Sequence, residues 1–234
     1  MKKIAIIIPS YNTVDQTINC VKQCLTLGNP NLNVYVIENG SVDGTVVKLG
    51  SMYLNNLHTV FNSKNEGYSK AINQGIALAD ETDKPDYYVF LNSDVILINK
   101  NIFELMAEAT DKYENFGCLI MHDAVIGNKP EKRTKWITDN IAETNEGMWY
   151  VVLVPRRTVE KIGVLDEQFF LHCSDSDYQI RISNAGLKVG VLKNKEYIKH
   201  IGFQASRKLP GIHELIAKDR EKFNIKHNIK PNVI

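Results

Sequence analysis

Several kinds of protein are excluded by what this chain lacks. Only four of its 234 residues are cysteine (Cys20, Cys24, Cys118 and Cys173), and their spacing fits neither a disulfide framework nor a zinc site. Cys20 and Cys24 stand one helical turn apart, as core residues do, so all four are expected to be reduced and the compartment cytosolic. An excess of charge of one sign is equally lacking. Lys plus Arg number 28 against 27 Asp plus Glu, so no global field draws nucleic acid. No apolar run approaches the ~20 residues that span a bilayer. The opening Met1-Lys2-Lys3 followed by Ile4–Ile8 resembles a signal peptide superficially, but its apolar core is too short and no small-residue cleavage site follows, so a first strand is expected. Internal repeats and low-complexity linkers are absent. So are the Gly-x-Gly-x-x-Gly turn of a dinucleotide fold and the Gly-Lys-Ser/Thr of a P-loop. A nucleotide site here would not cradle phosphate on glycines and would instead neutralise it with a divalent ion.

What is present is ordinary for a soluble globular protein: 44% hydrophobic and 24% charged residues, in a length suited to one large domain or two small ones. Tyr87–Leu91 is a continuous apolar run ending in the polar tip Asn92-Ser93-Asp94, and reads as a strand buried on both faces. Ile4–Ile8, ended by Pro9, Val34–Ile37 and His58–Phe61 read as further strands. Helices are expected from a capping box at Thr13-x-x-Gln16, with the stripe Val14, Ile18, Val21 and Leu25, and over 45–55. A third is expected after Asn65-Glu66-Gly67, where Gly75 permits close packing. This alternation calls for a parallel sheet. The second half is less regular. Helices are expected over 102–109, 157–162, 175–185 and 212–223, and strands over 117–121, 148–154, 189–192 and 197–200. Between them lies a polar loop over 122–147, of a length more often functional than accidental. The end of the chain carries Lys218, Arg220, Lys222, Lys226 and Lys230 around Leu215, Ile216 and Phe223. Two readings stand: peripheral contact with a membrane surface, or packing on the domain with a solvated basic face, the second being the expectation.

Each strand of the first half ends in a polar tip: Ser10-Tyr11-Asn12, Glu38-Asn39-Gly40-Ser41, Asn62-Ser63 and Asn92-Ser93-Asp94. Turns favour the same residue types for structural reasons, yet ligands of open α/β sheets bind beyond the carboxyl ends of strands. Asp94 is therefore a candidate metal ligand. One carboxylate holds a divalent ion weakly, so His200, in a polar loop before Gly202 and Ser206, is a second candidate. Asp175 and Asp177 lie where a helix is expected to start. Negative charge there suits the helix dipole. Proton abstraction from a hydroxyl needs a carboxylate of this kind, and Phe169-Phe170 alongside would desolvate it and raise its pKa.

Taken in order, Ile4–Asn12, then Glu38-Asn39-Gly40-Ser41-x-Asp43-Gly44-Thr45, then Asn65-x-Gly67 with Asn73-x-Gly75, resemble the nucleotide-binding half of family 2 glycosyltransferases. Leu91-Asn92-Ser93-Asp94 is similar to that family's Asp-x-Asp motif in the Asn-x-Asp form of rhamnosyltransferase-like members. Leu165-Asp166-Glu167-x-Phe169-Phe170 with Asp175-x-Asp177, Arg181 and Gly186 resembles the acceptor-side signature, and His200-x-Gly202-x-x-x-Ser206 the late histidine motif. The resemblance covers roughly residues 4 to 206, and motifs in the right order are far more specific than any one alone.

The resemblance implies a GT-A (Rossmann-like) α/β fold: one domain with a mixed, mostly parallel central sheet flanked by helices. Residues 1–206 would form it, with 1–98 binding the nucleotide sugar, 99–206 the acceptor, and 207–234 packed on the same body. It also implies a nucleotide-sugar donor, Mg²⁺ or Mn²⁺ on the diphosphate, inversion at the anomeric carbon, and a glycan, lipid-linked or protein acceptor. By position, Asp175 matches the catalytic base, and Asp94 and His200 the metal site. Pro9, Tyr11, Asn12, Glu38, Asn39, Asn65, Gly67, Asn73, Asn92 and Ser93 match the nucleotide side. Trp149, Asp177 and Arg181 match the acceptor side. Ser174 departs from the family's usual Glu. Its lost negative charge is expected to lower the pKa of Asp175 or weaken acceptor binding. Asn92 replaces the first Asp of the stricter metal motif. The Gln-x-x-Arg-Trp motif of processive synthases is missing, so a single addition is expected. The alternative is a nucleotide-sugar- or carbohydrate-binding module of the same fold with little or no turnover. A nucleotidyltransferase is disfavoured because the first tip lacks its Gly-rich, Arg-containing loop. The Asn-x-Asp form and the late motifs lean to dTDP-rhamnose, with UDP- and GDP-sugars also open, while acceptor and oligomeric state carry no signature.

Overall fold

A computed structural model describes residues 2–122, 134–145, 147–193, 196–202 and 204–229. The apolar runs of the first half become β1 (Ile4–Ser10), β2 (Leu32–Glu38), β3 (Leu57–Phe61) and β4 (Tyr87–Leu91). These are separated by α1 (Val14–Leu25), α2 (Thr45–Gly50) and α3 (Tyr68–Thr82). The alternation inside a single run decides the layers. Ile4, Ile6 and Ile8 of β1 pack on one face with Cys20, Val21 and Cys24 of α1. Ala5 and Ile7 pack on the other with Ala71, Ile72 and Ile76 of α3. With both faces covered, every residue of β4 is buried. Gly75 is required where α3 crosses β1, because a Cβ there would lie 2.4 Å from Ile7 Cγ2.

The second half supplies β5 (Val95–Leu97), α4 (Ile102–Lys112), β6 (Phe116–His122), β7 (Thr134–Trp136), β8 (Ile141–Thr144) and β9 (Val151–Pro155). It continues with α5 (Arg156–Ile162), α6 (Ser174–Asn184), β10 (Lys188–Lys193), β11 (Ile198–His200), a 3-10 turn (Ser206–Lys208) and α7 (Ile212–Lys226). Nine strands form one sheet in the order β3-β2-β1-β4-β9-β6-β10-β8-β7, and β11 pairs with β5 in a separate ribbon. Pairing is parallel from β3 to β4 and antiparallel at β9, giving the mixed sheet expected. α4 covers the α1 face of the sheet and α6 the α3 face.

Several local expectations are corrected. β1 does not stop at Pro9 but runs to Ser10 in register with β2. The β4 ladder has already ended at Ile7, so it asks no bond of the proline nitrogen. Thr13 forms no capping box. Its hydroxyl turns to Thr17 (3.0 Å) and Ser93 (3.2 Å), and Asp43 Oδ2 accepts the Val14 N–H at 2.9 Å instead. α2 ends at Gly50, where the Ser51 hydroxyl takes up the Lys48 carbonyl. The polar stretch expected as a loop holds β7 and β8 between 134 and 144, and the rest of it over 123–133 lies outside the described residues. β5 was missed, being only three residues long, and α7 continues past Phe223 to Lys226. Lys230 is outside the described residues. All four cysteines are buried and free, as expected.

Candidate active site

The carboxyl edge of the sheet gathers most of the candidate residues. Ser93 and Asp94 follow β4 and are both buried. The β5–β11 ribbon sets His200 opposite Val95, and Ile201 N–H donates to the Asp94 carbonyl at 3.0 Å. That pairing carries His200 Nε2 to 3.2 Å from Asp94 Oδ1 across 106 residues of sequence. Tyr150 stacks on the imidazole at 4.8 Å and 16°, and its carbonyl accepts the Asn92 N–H at 3.0 Å. Burial alone would raise the Asp94 pKa. The His200 hydrogen bond and charge, with the Gln204 N–H at 3.4 Å from Oδ2, bring it below the ordinary carboxylate value.

A carboxylate and an imidazole are a donor pair suited to a divalent ion. Two adjacent ligands of an octahedral Mg²⁺ or Mn²⁺, each ~2.1 Å from the ion, lie about 3 Å apart, close to the 3.2 Å separation of these two atoms. No group of three or more His, Cys, Asp or Glu side chains arranged to hold a metal occurs among the described residues. Asp94 and His200 are the two ligands that the described residues offer such a site, and Mg²⁺ in particular keeps several waters and takes substrate phosphates into its shell. The residues fit the ion.

The tips of β1 and β2 lock onto each other. Asn12, in the left-handed conformation at φ 52°, takes the Val42 N–H on its side-chain oxygen (2.8 Å) and gives its own N–H to Ser41 Oγ (2.8 Å). Glu38 is fully buried, and its carboxylate accepts Gly40 N–H (3.1 Å) and Ser41 N–H (2.8 Å), so it shapes its own turn. Asn39 donates to the Gly67 carbonyl (3.2 Å) and accepts from Asn62 (2.9 Å). Asn65 accepts the Gly67 N–H at 2.9 Å. Ser93 joins a buried hydroxyl chain through Thr13 and Thr17 to Ser10. Pro9, Tyr11 and Asn92 are partly exposed at the same edge. Lys208 reaches across from the 3-10 turn to the Asn12 carbonyl.

The residues expected on the acceptor side are arranged around the segment from Leu165 to Asp175. Asn73 of α3 clamps it, donating to the Leu165 carbonyl (2.9 Å) and Glu167 Oε1 (3.0 Å) and accepting the Leu165 N–H (3.0 Å). Tyr68 N–H donates to the Phe170 carbonyl at 2.6 Å. Only glycine fits at 67, because its φ is +91° and a Cβ would lie 2.6 Å from that same carbonyl oxygen. Cys173, at φ 64°, turns the chain into α6 and places Asp175 in the first helical turn. Burial pushes the Asp175 carboxyl up, against the Ser176 N–H and the His172 charge. The direction is the one expected of a carboxylate desolvated by its surroundings. Ser174 is itself engaged, its hydroxyl 2.7 Å from that of Ser69.

Asp177 and Arg181 sit in a different environment. Asp177 is completely buried and meets Arg181 Nε (3.0 Å), Lys226 Nζ (2.6 Å) and His227 Nε2 (2.9 Å). Arg181 also donates to the carbonyls of Ile162 and Val164. Trp149 is buried between Phe90 (5.8 Å) and Tyr178 (5.5 Å). Sequence reasoning missed Tyr150, Lys208 and Tyr68. The Tyr68 hydroxyl is held protonated by burial and by the negative charge of Asp175. Tyr150 had one signal, its place beside Trp149 just ahead of β9.

A mixed sheet with its polar edge beyond β4 and helices on both faces defines the GT-A class of α/β protein. A sequence model described as glycosyl transferase family 2 matches residues 5–158, and the chain belongs to that family. Glycosyltransferase GlyG of Streptococcus pneumoniae serotype 4 is 23% identical over 207 residues, covering 88% of this chain and 61% of GlyG. The chain thus spans only part of the length of this curated relative. Among solved structures, TarS of S. aureus superposes with a TM-score of 0.65 at 17% identity, over 99% of this chain and 46% of TarS. The mannosyltransferase PcManGT of Pyrobaculum calidifontis, in complex with GDP-Man and Mn2+, superposes with a TM-score of 0.65 at 16% identity, over 84% of this chain and 59% of PcManGT. At these identities the superpositions establish the fold. Among the described residues no helix is long and apolar enough to cross a membrane.

Proposed function

We propose that this glycosyltransferase moves one sugar from a nucleotide-diphosphate sugar to a hydroxyl of a glycan, lipid-linked or protein acceptor, with inversion at the anomeric carbon. The observation that carries this reading is the convergence of Asp94 and His200 at the carboxyl end of the sheet, with a half-buried carboxylate, Asp175, on the acceptor side. Residues 1–98 would serve the donor and 99–206 the acceptor, with 207–234 packed on the same domain. The structure of PcManGT with GDP-Man and Mn2+ supports a nucleotide-sugar donor and a divalent ion here as well. Asp94 and His200 would hold Mg²⁺ or Mn²⁺, which when bound offsets the negative charge of the departing diphosphate.

The chain's own residues divide the remaining work. Asp175 accepts the proton of the attacking hydroxyl, and its raised proton affinity strengthens it for that role. Tyr11, Asn92 and Pro9, all partly exposed, face the base and ribose, while Asn12, Glu38, Asn39, Asn65 and Ser93 build the walls around them. Gly67 and Asn73, expected on the nucleotide side, instead brace the acceptor segment. Trp149 gives the acceptor pocket an apolar side. Asp177 and Arg181, saturated by internal partners, hold that pocket in shape. Without the Gln-x-x-Arg-Trp motif a single addition is favoured over polymerisation, the Asn-x-Asp form favours rhamnose as the donor sugar, and the four free cysteines support a reaction on the cytoplasmic side.

The second reading, a binding module without turnover, is favoured by Ser174, whose hydroxyl is engaged by Ser69 where the family usually has a carboxylate. One assay separates the two. The protein is incubated with Mn²⁺, a panel of UDP-, GDP- and dTDP-sugars and a panel of glycan, lipid-linked and peptide hydroxyl acceptors, and release of nucleoside diphosphate is measured. Turnover is expected with at least one donor, and Asp94→Ala should lose metal-dependent nucleotide binding. Tight binding with no release from any donor would support the module, and unchanged binding by Asp94→Ala would sink the metal role.

A further inference from the structure

α7 docks on the domain through a carboxylate. Asp219 is 1% exposed and is the residue of that helix that is fully buried, whereas Leu215, Ile216 and Phe223 are only half-buried and Ile225 faces outward. Isolated, a buried charge of this kind is strongly unfavourable. Here three successive backbone N–H groups converge on it: Phe170 at 3.1 Å to Oδ1, and Leu171 and His172 each at 2.8 Å to Oδ2. Charge-assisted bonds from three adjacent amides to one rigid group fix the direction of those amides, and with them the local backbone path. Lys222 adds a bond to the Gln168 carbonyl at 2.6 Å, and Lys226 bridges Asp166 and Asp177 at 2.7 and 2.6 Å. The opposite edge of the same segment is fastened to α3 by Tyr68 N–H on the Phe170 carbonyl. The backbone over 170–172 is therefore gripped from two helices. It leads directly into the left-handed turn at Cys173 that presents Asp175.

We propose that Asp219 is a positioning residue for Asp175: by holding the amides of 170–172 it sets where the base stands relative to the acceptor hydroxyl. This rests on the reading of Asp175 as the base. A helix that merely stabilised the fold would be expected to affect donor binding and melting temperature together with turnover. A positioning residue acts on the proton-transfer step and leaves the donor tips, which lock onto one another, undisturbed.

The test compares Asp219→Asn and Asp219→Ala, alone and combined with Asp175→Asn, in the full chain. The readouts are nucleoside diphosphate release from the donor turned over in the panel, binding of the free nucleoside diphosphate with Mn²⁺, and melting temperature. Asn keeps the shape and one acceptor oxygen, so it should lower kcat about tenfold, since a neutral acceptor makes the weaker bonds. Ala frees the segment, and a displacement on the scale of an ångström should lower kcat on the order of 10²-fold. Nucleotide affinity should stay within about twofold of wild type, because Asp219 bonds none of the donor tips and those are fastened mainly to one another. In the Asp175→Asn background, Asp219→Ala should cost little more, since its effect runs through the carboxylate already removed. Full turnover by a folded Asp219→Ala, losses that multiply in the double variant, or a parallel fall in nucleotide binding would each overturn the proposal. Wild-type turnover by Asp175→Asn would instead overturn the base assignment, and with it the route through Asp175. An inactive Asp175→Asn beside a fully active Asp219→Ala overturns the positioning alone.

Discussion

The proposed donor edge and the proposed acceptor segment are built on opposite plans. At the donor edge, short polar tips fasten to tips of neighbouring parallel strands: Asn12 to Ser41 and Val42, Glu38 to its own turn, Asn39 to Asn62. The acceptor segment carries few bonds of its own and is held from outside, by Asn73 and Tyr68 of α3 and by Asp219, Lys222 and Lys226 of α7. The difference suits the two tasks. Parallel strands place their ends beside one another as a consequence of pairing, so a nucleotide wall follows from the sheet. A base has to be set against an acceptor that lies beyond the sheet, and its loop takes its shape from helices on either side. Changes in the acceptor segment should therefore separate turnover from donor binding.

The largest effect is expected at Asp175. Asp175→Asn should lower transfer by about 10²- to 10⁴-fold, the range for removing a general base, while nucleoside diphosphate binding with Mn²⁺ stays near wild type. Normal transfer would show that the proton leaves by another group. Because burial raises the Asp175 pKa, the wild-type rate should fall with acid at a pH above the ordinary carboxylate range. A pH profile flat down to about pH 4, the ordinary carboxylate value, would contradict that shift.

Next in size is Gly67→Ala. Its φ of +91° and the 2.6 Å approach of the Phe170 carbonyl leave no room for a methyl group, and roughly 2–3 kcal/mol of stability should be lost. Gly44, also at positive φ but with nothing near its Cβ, is the matching donor-side control. Thermal melting of both alanine variants should place Gly67→Ala lower, and the reverse order would remove the case for a tight α3–segment contact. Asn73→Ala follows. It strips the Leu165 N–H and carbonyl of their side-chain partner and should cost about 1–3 kcal/mol, measured by denaturant midpoint. A midpoint equal to wild type would mean that the clamp contributes nothing.

How much of this was legible in the sequence follows the same division. The alternation of Ile4, Ile6 and Ile8 against Ala5 and Ile7 belongs to a strand with two covered faces, and β1 is that strand. Asn12, Glu38 and Asn39 were readable as a strand-end cluster because each tip lies next to its own strand. β5 escaped notice because three residues carry no period, and the Thr13 capping box failed because a hydroxyl with nearer partners in Thr17 and Ser93 does not turn to its own helix. Asp219 was invisible for a further reason. A single aspartate among lysines on a terminal helix looks solvated, and the amides it binds lie 47 to 49 residues away, with no side-chain identity to mark them.

The smallest expected effect is a difference in response to acid between the two regions. Asp43, on the donor side, is partly buried, which would raise its pKa, but neutral donors outweigh this: the Thr45 hydroxyl and the N–H groups of Val14 and Thr45, with a smaller contribution from Lys208. Asp166, on the acceptor side, is brought down to about 2, its burial outweighed by hydrogen bonds from Lys226 and Gln168 and by the Lys226 charge. Both carboxylates have folded-state pKa values below their unfolded ones, so both stabilise the protein above the unfolded value of 3.8. For Asp166 that contribution is lost as the pH falls from there through about 2. Lys226→Met keeps the aliphatic stem and removes the ammonium that bridges Asp166 and Asp177. The melting temperature of the variant should lie below that of wild type at about pH 6, and the gap should narrow towards about pH 2, where Asp166 is protonated in the variant and half-protonated in the wild type. Added salt should also narrow it, because Lys226 is partly exposed and its charge is screened within a Debye length of about 10 Å at 0.1 M. Asp43→Asn, which loses bonds to neutral donors, should show the weaker salt dependence of the two. Equal salt responses in the two variants would mean that the acceptor segment is not held by charge where the donor edge is held by amides and hydroxyls.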